Sequence, residues 1–112
     1  MSSIQDVLEG RARWAVVCGD NREVLPALPD KGVAHVITDP PYEAEAHAGA
    51  KRMNKEHQIV DYQIDFPAIT AEERNFHSEQ WRRLAARWAL AFCQVEGVDR
   101  WKTSLVSAGA KW

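Results

Sequence analysis

The run Thr38-Asp39-Pro40-Pro41-Tyr42 carries the residue types in this chain best suited to chemistry. A carboxylate, a backbone carbonyl and an aromatic ring follow one another within four residues. Two consecutive prolines fix the backbone, so the Asp39 carboxylate and the Pro40 carbonyl would be presented with little entropic loss. Two acceptors held side by side suit an exocyclic amine on a flat heterocycle. Such an amine is a poor nucleophile, because its lone pair is drawn into the ring. Acceptors that take both its hydrogens turn that lone pair toward an incoming electrophile. Tyr42 adds a flat face, and aromatic stacking on a nucleobase contributes roughly 1–3 kcal/mol. A base inside a duplex would have to be extruded to reach such a turn. The same residues read purely structurally as a polar cap before a proline turn, with Pro41 shaping the bend and Tyr42 packing.

The elements that must hold this run can be placed from the pattern around it. Residues 33–38, Val-Ala-His-Val-Ile-Thr, are β-branched and nearly continuous in apolar character, which predicts a buried strand ending where the prolines forbid a ladder. Upstream, residues 14–18, Trp-Ala-Val-Val-Cys, form an apolar run closed by Gly19 and Asp20, a second predicted strand. Asp20 or Asn21 can cap a short helix whose Val24, Leu25 and Leu28 share a face, and Pro26 limits it to about two turns. Residues 29–32 signal a turn, and residues 1–12 read as a frayed lead-in. Residues 43–70 show no strong period and read as a loop with a helical turn at most. From Thr70 a capping-box pattern opens a helix running to about Ala86. Residues 88–93 read as a third buried strand, and residues 97–108 as an amphipathic helix stopped at Gly109. A further strand would begin at Lys111-Trp112. Strand and helix alternating three times is the rhythm of a parallel α/β sheet with crossover helices. Ligands in such sheets bind at the carboxyl ends of the strands, which makes Asp20, Asp39 and Gln94 eligible for one crevice.

Taken together, Cys18-Gly19-Asp20, the segment Val24-Leu25-Pro26-Ala27-Leu28-Pro29-Asp30, and Val36-Ile37-Thr38-Asp39-Pro40-Pro41-Tyr42 resemble the opening of the amino-group (N6-adenine/N4-cytosine) DNA methyltransferases. The likeness is to the permuted class, in which the catalytic half comes first. It covers most of residues 14–112. It implies an α/β, partial Rossmann-like methyltransferase fold with S-adenosyl-L-methionine as cofactor and DNA as partner. Asp39, Pro40 and Tyr42 would be catalytic, with Pro41 completing the base-binding turn, and Asp20 would contact the adenosine part of the cofactor. Aspartate at the first motif position favours adenine over cytosine as target. The family's Phe-x-Gly-x-Gly loop for the methionine end of the cofactor has no counterpart here, nor has its target-recognition segment. On this resemblance residues 1–112 would be an N-terminal catalytic portion of a methyltransferase domain, holding the equivalents of the third, fourth and fifth strands of the family sheet without the first and second. Such a portion should methylate poorly or not at all alone.

Composition narrows the alternatives. With 112 residues and 46% apolar content the chain is sized for one small domain and is not composed like a disordered one. A formal charge of −2 gives no global basic field, so any grip on phosphate would be local. Lys51, Arg52 and Lys55 are the candidates, with a solvated loop as the plainer reading. His35, His47, His57 and His77 lack ligand spacing, so no metal is expected. Cys18 and Cys93 read as buried free thiols of a cytoplasmic protein. The five tryptophans read as packing residues, and Arg82, Arg83 and Arg87 as a polar helix face. Neither a membrane span nor a signal peptide is indicated. The same amine grip could serve an RNA base or a glutamine amide, although those families usually carry asparagine at the first motif position. From another class, the chain could be a non-catalytic remnant that binds DNA or a partner chain. Unpaired sheet edges would then favour self-association.

Overall fold

The computed structural model describes residues 1–44, 48, 51–61 and 66–112. Residues 33–38 form strand β1 (Val33–Thr38), as their β-branched run predicts. It pairs in parallel with β4 (Ala85–Ala91), with Val36 opposite Ala89 and Thr38 opposite Ala91. Between them in the chain come a hairpin, β2 (Lys51–Met53) and β3 (Ile59–Asp61), and helix α3 (Ala71–Leu84). Helix α4 (Val98–Ser107) follows β4 after a 3₁₀ turn at Val95–Gly97. The result is a mixed α/β arrangement around a two-stranded parallel sheet.

Alternation along the strands decides which face is covered. Val36, Ala91 and Cys93 pack against a core of Ile69, Trp81 and Trp101, so α3 and α4 lie on that face. Trp81 and Trp101 stack with centroids 5.0 Å apart and planes 19° from parallel, which locks the two helices together. On the opposite face Ile37, Trp88, Leu90 and Phe92 are exposed. The expectation that all five tryptophans pack therefore holds for Trp81 and Trp101 alone, since Trp14, Trp88 and Trp112 each show about two-thirds of their surface to solvent.

Helix α3 begins as its sequence predicts. The Thr70 side chain accepts from the Glu73 amide and the Glu73 carboxylate accepts from the Thr70 amide, a complete capping box. Its end is set by a distant residue. Lys31, in the left-handed region at φ 54°, donates its amide to the Arg83 carbonyl and its ammonium to the carbonyls of Arg82 and Ala85. Those are carbonyls a helix terminus leaves without partners, and a cation is favoured there. The chain passes directly from helix into β4 at Ala85, three residues before the predicted strand. Arg83 donates to the carbonyls of Leu25 and Leu28 and to Asp30, tying the upstream turn to α3. Arg82 donates to the Gly109 carbonyl, where φ +93° ends α4 as expected. Neither arginine is simply a solvated helix face, and Arg87 lies in β4.

Other expectations are corrected. Residues 14–18 form no strand: Trp14, Val16 and Val17 are exposed and no ladder forms there. They join neither free edge of the β1–β4 pair, which makes up the whole parallel sheet among the described residues. Residues 1–12 contain a short helix, α1 (Ile4–Leu8), opened by its own capping box of Ser3 and Asp6. The stretch after residue 43 holds the β2–β3 hairpin in place of a plain loop. Asn54 Oδ1 accepts from the amides of Glu56 and Gln58, and His57 takes the left-handed position at φ 63°. Of the alanines at 44, 46, 48 and 50, where a helical turn was open, Ala46 and Ala50 lie outside the described residues. Cys18 is exposed and Cys93 half-buried, so the thiols are free but not both buried. Lys111 and Trp112 begin no strand. The capped segment after Asp20 does form as predicted, as α2 (Asn21–Val24) followed by a 3₁₀ turn at Leu25–Ala27.

Candidate functional site

The Asp39–Tyr42 turn emerges from the carboxyl end of β1, beside the carboxyl end of β4. One further backbone bond, from the Phe92 amide to the Thr38 carbonyl at 3.0 Å, extends the pairing up to the prolines. There the ladder stops, because proline has no amide hydrogen to give. Pro40 is buried while Asp39, Pro41 and Tyr42 are exposed, so the turn is seated on its first proline and shows its carboxylate and its ring to solvent.

Asp39 and Tyr42 face each other. The negative charge of the Asp39 carboxylate is the main reason the Tyr42 phenol is raised above its ordinary value. Partial burial and the nearby Cys93 add to this.

Behind the turn lies a charged anchor that the sequence reading missed. Glu43, the next residue after the motif, is only 4% exposed. Its carboxylate accepts from Arg74 Nη2 at 2.8 and 3.0 Å and from Arg100 Nη1 at 2.8 Å. Arg74 comes from α3 and is itself buried, with its guanidinium 5.9 Å from the Trp101 ring centroid. Arg100 comes from α4 and is half-exposed. The Glu43 amide donates to Gln94 Oε1 at 2.9 Å, and the Tyr42 carbonyl accepts from the Ile69 amide at 3.0 Å. Gly97 leaves room for this carboxylate, since a Cβ there would lie 3.3 Å from Glu43 Cγ. No local pattern marks Glu43, because its partners lie 31 and 57 residues away. The one sequence signal was Gln94, placed by its strand end next to the turn.

Asp20 sits elsewhere in role. It caps α2 by accepting from the Arg22 amide at 2.9 Å, and the Arg22 guanidinium adds further bonds of 2.8 to 3.2 Å. The Arg22 side chain and amide hold the Asp20 carboxyl down to about 2. The structure therefore brings Asp39, Tyr42, Cys93 and Gln94 together at one end of the sheet, while the contacts of Asp20 are with Arg22. Lys51 pairs with Asp61 within the hairpin.

A cavity of about 470 Å³ lies at the opposite end of β4, between Lys31, Arg82, Trp88, Leu105 and Trp112. It is remote from the proline turn. No cluster of metal-ligating side chains is present among the described residues. None of their helices is long and apolar enough to cross a membrane. Comparison with known protein families, with curated proteins and with solved structures finds no match.

Proposed function

We propose that this chain is the base-presenting part of an S-adenosylmethionine-dependent DNA methyltransferase acting on an exocyclic amine, with adenine N6 as the preferred target. The observation that carries this reading is the stiff Asp39–Tyr42 turn, displayed at the carboxyl ends of two parallel strands with its carboxylate and ring exposed together. The Asp39 carboxylate takes one amine hydrogen and the Pro40 carbonyl the other. Tyr42 stacks on the base, and Pro41 keeps the turn from flexing. Cytosine N4 presents the same amine and is the alternative target. The Rossmann-like assignment of the sheet belongs to this proposal, supported by the parallel β1–β4 pair with a helix in the crossover.

The residues present fit the cofactor at one end only. The Asp20 carboxylate is an exposed acceptor suited to ribose hydroxyls once Arg22 releases it. No glycine-rich turn among the described residues offers backbone amides to the methionine carboxylate. S-adenosylmethionine would supply an electrophilic methyl group; the work of these 112 residues is to hold and orient the amine. Calorimetric titration with adenosine tests the reading. Weak binding by the wild-type chain that falls by about 1–3 kcal/mol in Tyr42→Ala supports it. Binding that is unchanged in both Tyr42→Ala and Asp39→Ala removes it.

A second reading is favoured by the uncovered face. Ile37, Trp88, Leu90 and Phe92 form an apolar surface on the side of the sheet away from both helices. Surfaces of this kind mark interaction sites, so the chain could act as a binding piece that performs no chemistry. Ordered folding without adenosine or cofactor binding would favour it.

A further inference from the structure

We propose that Glu43 is a positioning residue for the Asp39–Tyr42 turn: its buried carboxylate bolts the turn to both covering helices and so sets the distance between the Asp39 carboxylate and the Tyr42 ring. The inference rests on the base-presenting reading for its functional meaning, but not for its geometry.

A turn of two prolines is stiff internally, yet nothing in the prolines fixes how it sits on the sheet. That must come from its flanks. On the β1 side the ladder and the buried Pro40 supply it. On the other side Glu43 is the first residue past the ring. Its carboxylate takes three bonds of 2.8 to 3.0 Å from two guanidinium groups on two different helices. Its amide is held by Gln94 from the end of β4, and the Tyr42 carbonyl by the Ile69 amide. The turn is thus tied to α3, α4 and the β4 terminus within two residues. Burying a carboxylate is costly unless it is fully paired, so a Glu43 left without its arginines would have to move outward. The backbone of Tyr42 would move with it. A role limited to stability would not make this demand. Any buried ion pair could supply cohesion, whereas this one adjoins the exposed pair it would align.

The Tyr42 phenol reports the alignment, because the Asp39 carboxylate raises it. The charged and titratable groups around the turn are Asp39 on the turn itself, Cys93 past β4, Glu43, Arg74 on α3 and Arg100 on α4. The experiment is a pH titration of ¹³Cζ-labelled tyrosine by NMR in a Tyr62→Phe background, which leaves Tyr42 as the one tyrosine. Wild-type, Glu43→Gln, Arg100→Gln and Arg83→Gln chains are compared, each with a thermal melt. The last removes bonds to Leu25, Leu28 and Asp30, away from the turn, and controls for lost stability. The expected result is that Glu43→Gln and Arg100→Gln bring the Tyr42 titration down toward the ordinary phenol value, while Arg83→Gln lowers the melting point and leaves Tyr42 where it was. If Glu43→Gln does not fold, Arg100→Gln decides, since Arg100 is half-exposed and leaves the Glu43–Arg74 pair intact. A wild-type-like Tyr42 titration in Arg100→Gln, or in a folded Glu43→Gln, overturns the proposal. A shifted titration in chains whose wild type binds no adenosine leaves the positioning role standing and removes the base-presenting reading instead.

Discussion

Two carboxylates single themselves out by their neighbours. The charge of Asp39 opposes ionisation of the Tyr42 phenol, while Asp20 accepts from Arg22 and would meet a ligand by exchanging a bond and not by filling an empty place. This predicts competition at Asp20. Arg22→Ala should strengthen any calorimetric heat with S-adenosylmethionine, and Asp20→Ala should abolish it; equal heats in both variants would separate Asp20 from cofactor contact. The pH dependence follows from the same neighbours. Asp20 is lowered from 3.8 to about 2 in the folded chain, so what its partners contribute is present above about pH 4 and lost as pH falls through 2. The carboxylate is exposed and the effect correspondingly small. Tyr42 is raised, so its contribution is complete below pH 10 and lost as the phenol ionises above that. Tyr42→Phe should remove the alkaline step from a pH series of melting points while leaving the acid side unchanged.

Among the elements, those whose cause is local were legible in advance. The Thr70–Glu73 box, the stop at Gly109 and the end of β1 at two prolines each follow from a few adjacent residues. Thr70→Ala should cost about 1 kcal/mol, read as a fall of several degrees in melting temperature. Trp101→Ala removes half of the aromatic stack between α3 and α4 and should cost about 3–5 kcal/mol, enough to unfold a marginal domain. Elements whose cause is remote were not legible. The α3–β4 junction is drawn back to Ala85 by Lys31, more than fifty residues earlier, against the helical preference of Ala85 and Ala86. The β2–β3 hairpin turns on the Asn54 side chain and on His57 at positive φ, with none of the glycine that usually announces such a turn. Glu43 read as one more polar loop residue until α3 and α4 delivered arginines to it.

At the scale of the whole molecule the arrangement is open. The radius of gyration is 16.8 Å, against about 13 Å for a compact domain of about 100 residues. Helices cover one face of the β1–β4 sheet, while the other shows Ile37, Trp88, Leu90 and Phe92, and the apolar residues 14–18 find no strand to join. Those residues have the composition of a strand, yet they pair with neither free edge of the sheet. An uncovered apolar face beside unpaired edges should drive association. Sedimentation velocity should show mass rising with concentration, and Leu90→Lys should suppress that rise without lowering the melting temperature; a monomer at every concentration would speak against it. The uncovered face lies on the same short sheet as the proline turn, so the two readings of function can be told apart only at the turn itself.

The central claim is that the Asp39–Tyr42 turn holds an amine by both of its hydrogens. The most direct test is NMR of Asp39 and Tyr42 with two ligands in turn, adenosine and N6,N6-dimethyladenosine, which differ in those hydrogens. The account predicts that adenosine shifts both residues and that the dimethylated nucleoside shifts Tyr42 weakly and Asp39 not at all. Equal shifts from the two nucleosides, or none from either, would contradict it.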